Sequence, residues 1–223
     1  MQVPASTPQE AYYLELGILP IGVIIKKRRL QYLHHLVNRE ENQMLHQFFI
    51  TQWSKPTKGD WTETVKENLE EFGLQADFGF LKSKTKTGFK NILKKRAKEY
   101  AYENLTEKHA KHSKMENLQY SELVIQNYFL HPGINIEEIR SIFKFRTRMA
   151  PFGENFRGGR DIVTCPLCST HVDNQVMSFQ CPAMRNKINI ECDIEDVYSD
   201  TMNKKTATTL HKILKLRKEL LEE

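Results

Sequence analysis

The sequence predicts a mostly α-helical protein: a multi-helix module, then a small cysteine-bearing turn, then a C-terminal helix. Three observations lead there. Apolar residues recur at helical spacing through most of the 223 positions. Capping residues open these stretches, and glycine or proline closes them. All four cysteines, Cys165, Cys168, Cys181 and Cys192, fall in the last third of the chain. With 39% hydrophobic and 27% charged residues, the chain can bury a core and reads as globular.

The elements follow in order. A first helix is expected over about Ile21–Asn38, with Ile25, Leu30, Leu33, Leu36 and Val37 on its apolar side. Asn42 is read as the cap of a second, through Met44, Leu45, Phe48, Phe49 and Trp53, ended by Lys55–Gly59. Asp60 caps a third: its carboxylate can accept from the first turn, and Glu63 can reach back to the Asp60 amide. Gly73 supplies the stop. A long helix is expected from about Gly88 to His112, with Phe89, Ile92, Leu93, Ala97, Tyr100 and Leu105 inward. Another covers Ile136–Met149, with Ile136, Ile139, Ile142, Phe143 and Met149 inward. Pro151, Gly153 and Gly158–Gly159 mark an irregular link. A charged amphipathic helix over Asn203–Glu222 ends the chain, with Leu210, Ile213, Leu214, Arg217, Leu220 and Leu221 on one side. The composition changes near Pro151, so residues 1–150 are expected to form a basic helical domain. Residues 151–223 then form a cysteine-cluster module with its C-terminal helix.

No membrane segment is expected. The apolar run Leu16–Ile25 contains Gly17, Pro20 and Gly22, and a spanning helix needs about 20 apolar residues. No secretory signal opens the chain, and four cysteines are too few for a secreted disulfide scaffold. An intracellular, reducing location, nucleus or cytoplasm, is the expectation.

Lysine plus arginine number 33 against 28 acids, a net charge of +5. The distribution matters more than the excess. Lys82, Lys84, Lys86, Lys90, Lys94, Lys95, Arg96 and Lys98 fall in a stretch without a single acid, and Lys108, Lys111 and Lys114 continue it. Lys26, Lys27, Arg28 and Arg29 form a second cluster. Arg140, Lys144 and Arg148 repeat at four-residue intervals, which puts them on one helix face. A single charge run is usually a solvated face. Three clusters point to nucleic acid, RNA or DNA, because rows of cations gain by releasing the counterions of phosphates.

The cysteines carry the only specific inorganic chemistry. Cys165 and Cys168 form a C-x2-C clip, and Cys181 is a plausible third thiolate; soft ligands of this kind favour zinc in a structural site. The fourth ligand is His171, which needs a sharply folded turn after Cys168, or Cys192. The bland alternative is cysteine packed as a small hydrophobe. Catalytic constellations are weak: there is no phosphate-binding glycine loop, His34–His35 lack an acid at useful spacing, and Asp193, Glu195, Asp196 and Asp200 read as a polar turn before a helix.

An ordered set of short stretches resembles the C-terminal segment, downstream of the polymerase, of a non-LTR (LINE-like) retrotransposon reverse transcriptase polyprotein. They are Tyr13-Leu-Glu-Leu-Gly-Ile-Leu-Pro-Ile21 with Arg28-Arg-Leu-Gln-Tyr-Leu33, Pro56-Thr-Lys-Gly-Asp-Trp61 with Val65-Lys-Glu67, Phe89-Lys-Asn-Ile-Leu-Lys94 and His112-Ser-Lys114. Further on come Ile142-Phe-Lys-Phe-Arg-Thr-Arg-Met149, Glu154-Asn-Phe156, Cys165-Pro-Leu-Cys168, Asp173-Asn-Gln175 and Phe179-Gln-Cys181. The set covers about residues 12–181. The resemblance implies a nucleic-acid-handling accessory region with a zinc-knuckle-like turn. Polymerase and endonuclease belong to other parts of such polyproteins, so the segment is expected not to be an enzyme. In similar sequences a histidine precedes the last cysteine; here that position is Met177, so the knuckle either recruits His171 or Cys192 or is degenerate. Two other readings stand beside this one: an interaction module that self-associates through residues 203–222, and a retroelement relic without function.

Overall fold

The helices form where local chemistry starts and stops them. The computed structural model describes residues 7–112, 115, 117–156, 163–199 and 202–222. Lys114, Gly158–Gly159 and Asp200, singled out in the sequence, lie outside the described residues. In chain order come α1 (Gln9–Leu16), α2 (Ile21–Val37), α3 (Met44–Ser54), α4 (Trp61–Glu71), α5 (Phe78–Ser83) and α6 (Lys86–His109). They are followed by α7 (Asn127–Leu130), α8 (Ile136–Arg146), α9 (Gly153–Phe156), α10 (Gln175–Ser178), α11 (Pro182–Arg185), α12 (Ile194–Tyr198) and α13 (Lys204–Glu222). Extended pairing among the described residues is confined to the isolated bridges Leu16–Ile125 and Thr164–Val172. No described helix is long and apolar enough to cross a membrane.

The chain divides into two compact units, but not at residue 150. One is Met1–Gly17 with Thr106–Glu223, and the other is Ile18–Leu105. The expected break at Pro151 fails because α8 and α13 pack on each other across it. Ile142 and Phe145 of α8 share one core with Cys165, Phe179 and Cys181 and with Ala207, Leu210 and Ile213 of α13. The inner face of α13 is thus occupied within its own unit. Two polar links tie elements of this unit to α8. Lys204 Nζ donates to Glu138 Oε1 at 2.6 Å. Buried Arg146 Nε donates to Glu15 Oε1 at 2.9 Å, which holds α1 in this unit.

In the second unit α2 packs against α3, α4 and α5. Leu30, Leu33 and Val37 of α2 are buried in this unit, as are Val65, Leu69, Phe72, Leu81, Phe89 and Leu93. Phe49, Trp53, Trp61 and Phe78 form a linked aromatic group beside it.

The helix ends explain where expectation and structure agree. Asp60 Oδ1 accepts from the Glu63 amide at 2.8 Å, as its spacing predicts. The return bond from Glu63 goes to the Gly59 amide, because the Asp60 amide already donates to the Thr57 carbonyl at 2.9 Å. Gly73 takes φ +60. Its amide and that of Leu74 donate to the carbonyls of Glu70 and Leu69, a closing pair that satisfies the last turn of α4. Asn42 does not cap α3; Gln43 occupies that position and gives no side-chain cap. Asn135 and Glu138 form a reciprocal capping box on α8. Ile136, placed inward by periodicity, is exposed.

Candidate metal centre and basic surface

Cys165, Cys168 and Cys181 are brought together by a tight hairpin and a helix start, with His171 beside Cys168 but outside that trio. The Thr164–Val172 bridge pairs the two arms. The Cys165 amide donates to the His171 carbonyl at 2.7 Å and the Asp173 amide to the Val163 carbonyl at 2.6 Å. Between the arms the Ser169 amide donates to the Cys165 carbonyl, and Ser169 takes φ +56. That left-handed residue supplies the sharp reversal needed to bring His171 back towards Cys168. Cys181 precedes Pro182, the first residue of α11.

The Sγ atoms of Cys165, Cys168 and Cys181 lie within 4.8 Å of one another, so the trio could hold a metal ion. Cys165 and Cys181 are buried and Cys168 is half-buried. His171 Nδ1 lies 3.6 Å from Cys168 Sγ and 3.0 Å from Thr170 Oγ1. Met177 lines the small space beside Cys165, His171 and Cys181. Cys192 stands apart from the trio and shares a hydrogen bond with Thr209.

The thiols differ in acidity. Hydrogen bonds from Thr170, aided by His171, draw Cys168 down to about 5. Burial, reinforced by the neighbouring Cys165 and Cys168, pushes Cys181 up to about 11. Burial also raises Cys192 to about 11. Cys168 is therefore available as a thiolate at neutral pH, whereas Cys181 needs a cation to lose its proton.

A buried ion pair backs the hairpin. Arg217 of α13 donates from Nη2 to Asp173 Oδ2 at 2.7 Å and from Nε to the Pro151 carbonyl at 2.8 Å. Its guanidinium lies 4.8 Å from the centre of the Phe152 ring. Asp173 Oδ2 also accepts from the Gly153 amide at 2.7 Å. Sequence periodicity placed Arg217 on the apolar side of its helix, but nothing local names Asp173 as its partner. Gln175 bonds the Phe145 carbonyl and Asn155. Five polar residues of the stretches that carry the resemblance, Glu15, Arg146, Asn155, Asp173 and Gln175, are thus engaged in holding one unit together.

The basic residues separate into engaged and available ones. Lys26 is engaged: its ammonium donates to Glu71 at 2.6 Å and to Tyr100 at 2.9 Å. Burial lowers its pKa, but those bonds reverse the shift and raise it. Arg28 is exposed, and Lys27 and Arg29 are half-exposed. Lys82 pairs with Glu41 at 3.2 Å, Lys95 with Glu99 at 3.8 Å and Arg96 with Glu99 at 3.1 Å. Lys84 lies over the Phe80 ring. Lys86, Lys90, Lys94 and Lys98 recur every four residues along α6, and none has an acidic partner among the described residues.

The expected row Arg140, Lys144, Arg148 does not form. α8 ends at Arg146, and Arg148 takes φ +50. The amides of Arg148 and Met149 close the helix onto the Phe145 and Lys144 carbonyls, a stop usually carried by glycine. Arg140 pairs with Glu137 in the same helix. His34 is buried, stacked on Phe89 and bonded to the Lys84 carbonyl. Asp193 and Asp196 form a capping box on α12.

Comparison with known proteins finds no matching family model, and no curated protein or solved structure matches the chain.

Proposed function

We propose that the chain is a non-catalytic nucleic-acid-binding module stabilised by a structural zinc ion, an accessory region of the retroelement type that its motif order resembles. The observation that carries this reading is the row Lys86, Lys90, Lys94, Lys98 on α6. Successive members rise by about 6 Å along the helix. In duplex DNA each strand carries a phosphate every ~3.4 Å of axis, so a step of about 6 Å is close to the spacing of two phosphates. Arg28, exposed on α2 of the same unit, adds to the positive surface.

Zinc is supported by the ligand set. Zn–S and Zn–N bonds of ~2.3 and ~2.0 Å give a tetrahedral S···N edge of about 3.5 Å. The separation of Cys168 Sγ and His171 Nδ1 is 3.6 Å. Cys165, Cys168 and Cys181 would hold the ion, and His171, beside Cys168 but outside the close trio, would turn towards it to take the place of the histidine missing at Met177. The ion would pin the hairpin to α11 and supply stability rather than reaction chemistry.

Binding is expected to be steeply salt-dependent and only weakly sequence-selective. Fluorescence anisotropy with unrelated oligonucleotides, from low to physiological salt, tests this. Affinity that stays flat across that range contradicts the reading.

A further inference from the structure

A concave site lies in the second unit, between the end of α4 and the middle of α6. Its volume is about 490 Å³, and its lining includes Leu74, Phe80, Lys84, Ile92, Lys95 and Arg96. That volume falls within the range of small-ligand sites, roughly 300–1,000 Å³. The chemistry is divided. Leu74, Phe80 and Ile92 supply an apolar wall that includes an aromatic ring, and three cations stand around it. One carboxylate, Glu99, serves both Lys95 and Arg96, so positive charge remains in excess. The walls are fixed by backbone bonds: Leu74 by its amide to the Leu69 carbonyl at 2.8 Å, Lys84 by its carbonyl to His34 Nε2 at 2.9 Å.

An aromatic ring beside excess positive charge matches a ligand with a flat π-face and a phosphate. We propose that this site seats one unpaired nucleotide of a single strand, with the base against Phe80 and the phosphates at Lys95 and Arg96. Lys84, whose ammonium lies 5.3 Å from the Phe80 ring centre, moves from the ring to a phosphate as the base enters. The inference rests on the nucleic-acid reading and sharpens it to single strands, because a base stacked inside a duplex cannot enter a concave site. The lysine row on the same helix then carries flanking phosphates without regard to sequence.

The test uses the full chain and compares a single-stranded oligonucleotide with its duplex at one salt concentration. Phe80→Ala is expected to weaken single-strand binding by about 5- to 150-fold, the range of one missing base–aromatic stack. Duplex binding and the salt slope should not change, since no charge is removed. Phe80→Trp is expected to retain affinity and to add fluorescence that single strands quench; it also serves if Phe80→Ala fails to fold. Salt-steep binding by the wild type, with Phe80→Ala equally affected on both ligands or on neither and no added quenching in Phe80→Trp, overturns the nucleotide seat while leaving the broader reading intact. No binding of either ligand by the wild type overturns both.

Discussion

Glu15 and Arg146, separated by 131 positions, form a buried ion pair with Oε1 and Nε 2.9 Å apart. Tyr120 and Tyr128 each donate a hydroxyl to the same carboxylate at 2.7 Å, and Arg146 donates to the Val197 carbonyl at 3.0 Å. This cluster joins α1, α8 and α12. Breaking one side of such a pair leaves a buried, uncompensated charge and costs about 3–5 kcal/mol. Arg146→Met is therefore expected to lower stability by that amount in chemical denaturation. Adding Glu15→Gln should recover part of the loss, because no charge is then stranded. Strictly additive losses would contradict the coupling.

Glu138 makes the first unit acid-sensitive. Burial raises its pKa, but Lys204, the Asn135 amide and Thr208 outweigh that and hold it below the ordinary 4.5. A carboxyl lowered on folding contributes stability above its unfolded value and loses it as pH falls through the folded one. Stability should thus hold at neutral pH and decline below about 4.5. Glu138→Gln should show a shallower decline over the same window. Thermal unfolding followed at several pH values checks this, and identical pH profiles for the two proteins would refute it.

Two glycines share a left-handed backbone but predict different costs. Gly73 has open space around a built Cβ, whereas one at Gly17 would lie 2.2 Å from the Ile125 nitrogen. Gly73→Ala should cost about 1–2 kcal/mol, the conformational penalty alone. Gly17→Ala should cost clearly more, since the Leu16–Ile125 pairing must open. Equal losses in urea unfolding would contradict this.

These cases show what the sequence could disclose. Asp60 and Gly73 were legible because capping is settled within a few residues. The Asn135–Glu138 box was equally local, and its N-x-x-E spacing was there to be read. The end of α8 was hidden, since Arg148 takes the left-handed position that glycine would have advertised. The four-residue spacing of Arg140, Lys144 and Arg148 therefore predicted a face that the helix never reaches. The cysteine trio was legible from spacing, but that His171 and Cys192 both fall outside it was not. The pairs Glu15–Arg146 and Asp173–Arg217 were invisible because only tertiary packing brings them together. For the same reason the break at Pro151 was misplaced.

The thiolate cluster gives a prediction that separates ligands from bystanders. Elemental analysis of the purified chain should find one zinc per molecule. Cys165→Ser and Cys181→Ser should lose it, together with much of the stability of the first unit, whose core contains both residues. Cys192→Ser should keep it, and His171→Ala should lower its affinity. Zinc content unchanged in Cys165→Ser, or absent from the wild type, would remove the site.

The most direct measurement is the slope of log affinity against log salt for a single-stranded oligonucleotide, in the wild type and in two charge-matched variants. One replaces Lys86, Lys90, Lys94 and Lys98 with glutamine. The other replaces Lys205, Lys212, Lys215 and Lys218, all exposed on α13 of the other unit. The first variant is expected to flatten the slope by about 3, at ~0.7 for each phosphate that is no longer neutralised, while the second stays near the wild-type slope. Equal slopes for the two variants would contradict the claim that the α6 row is where nucleic acid binds.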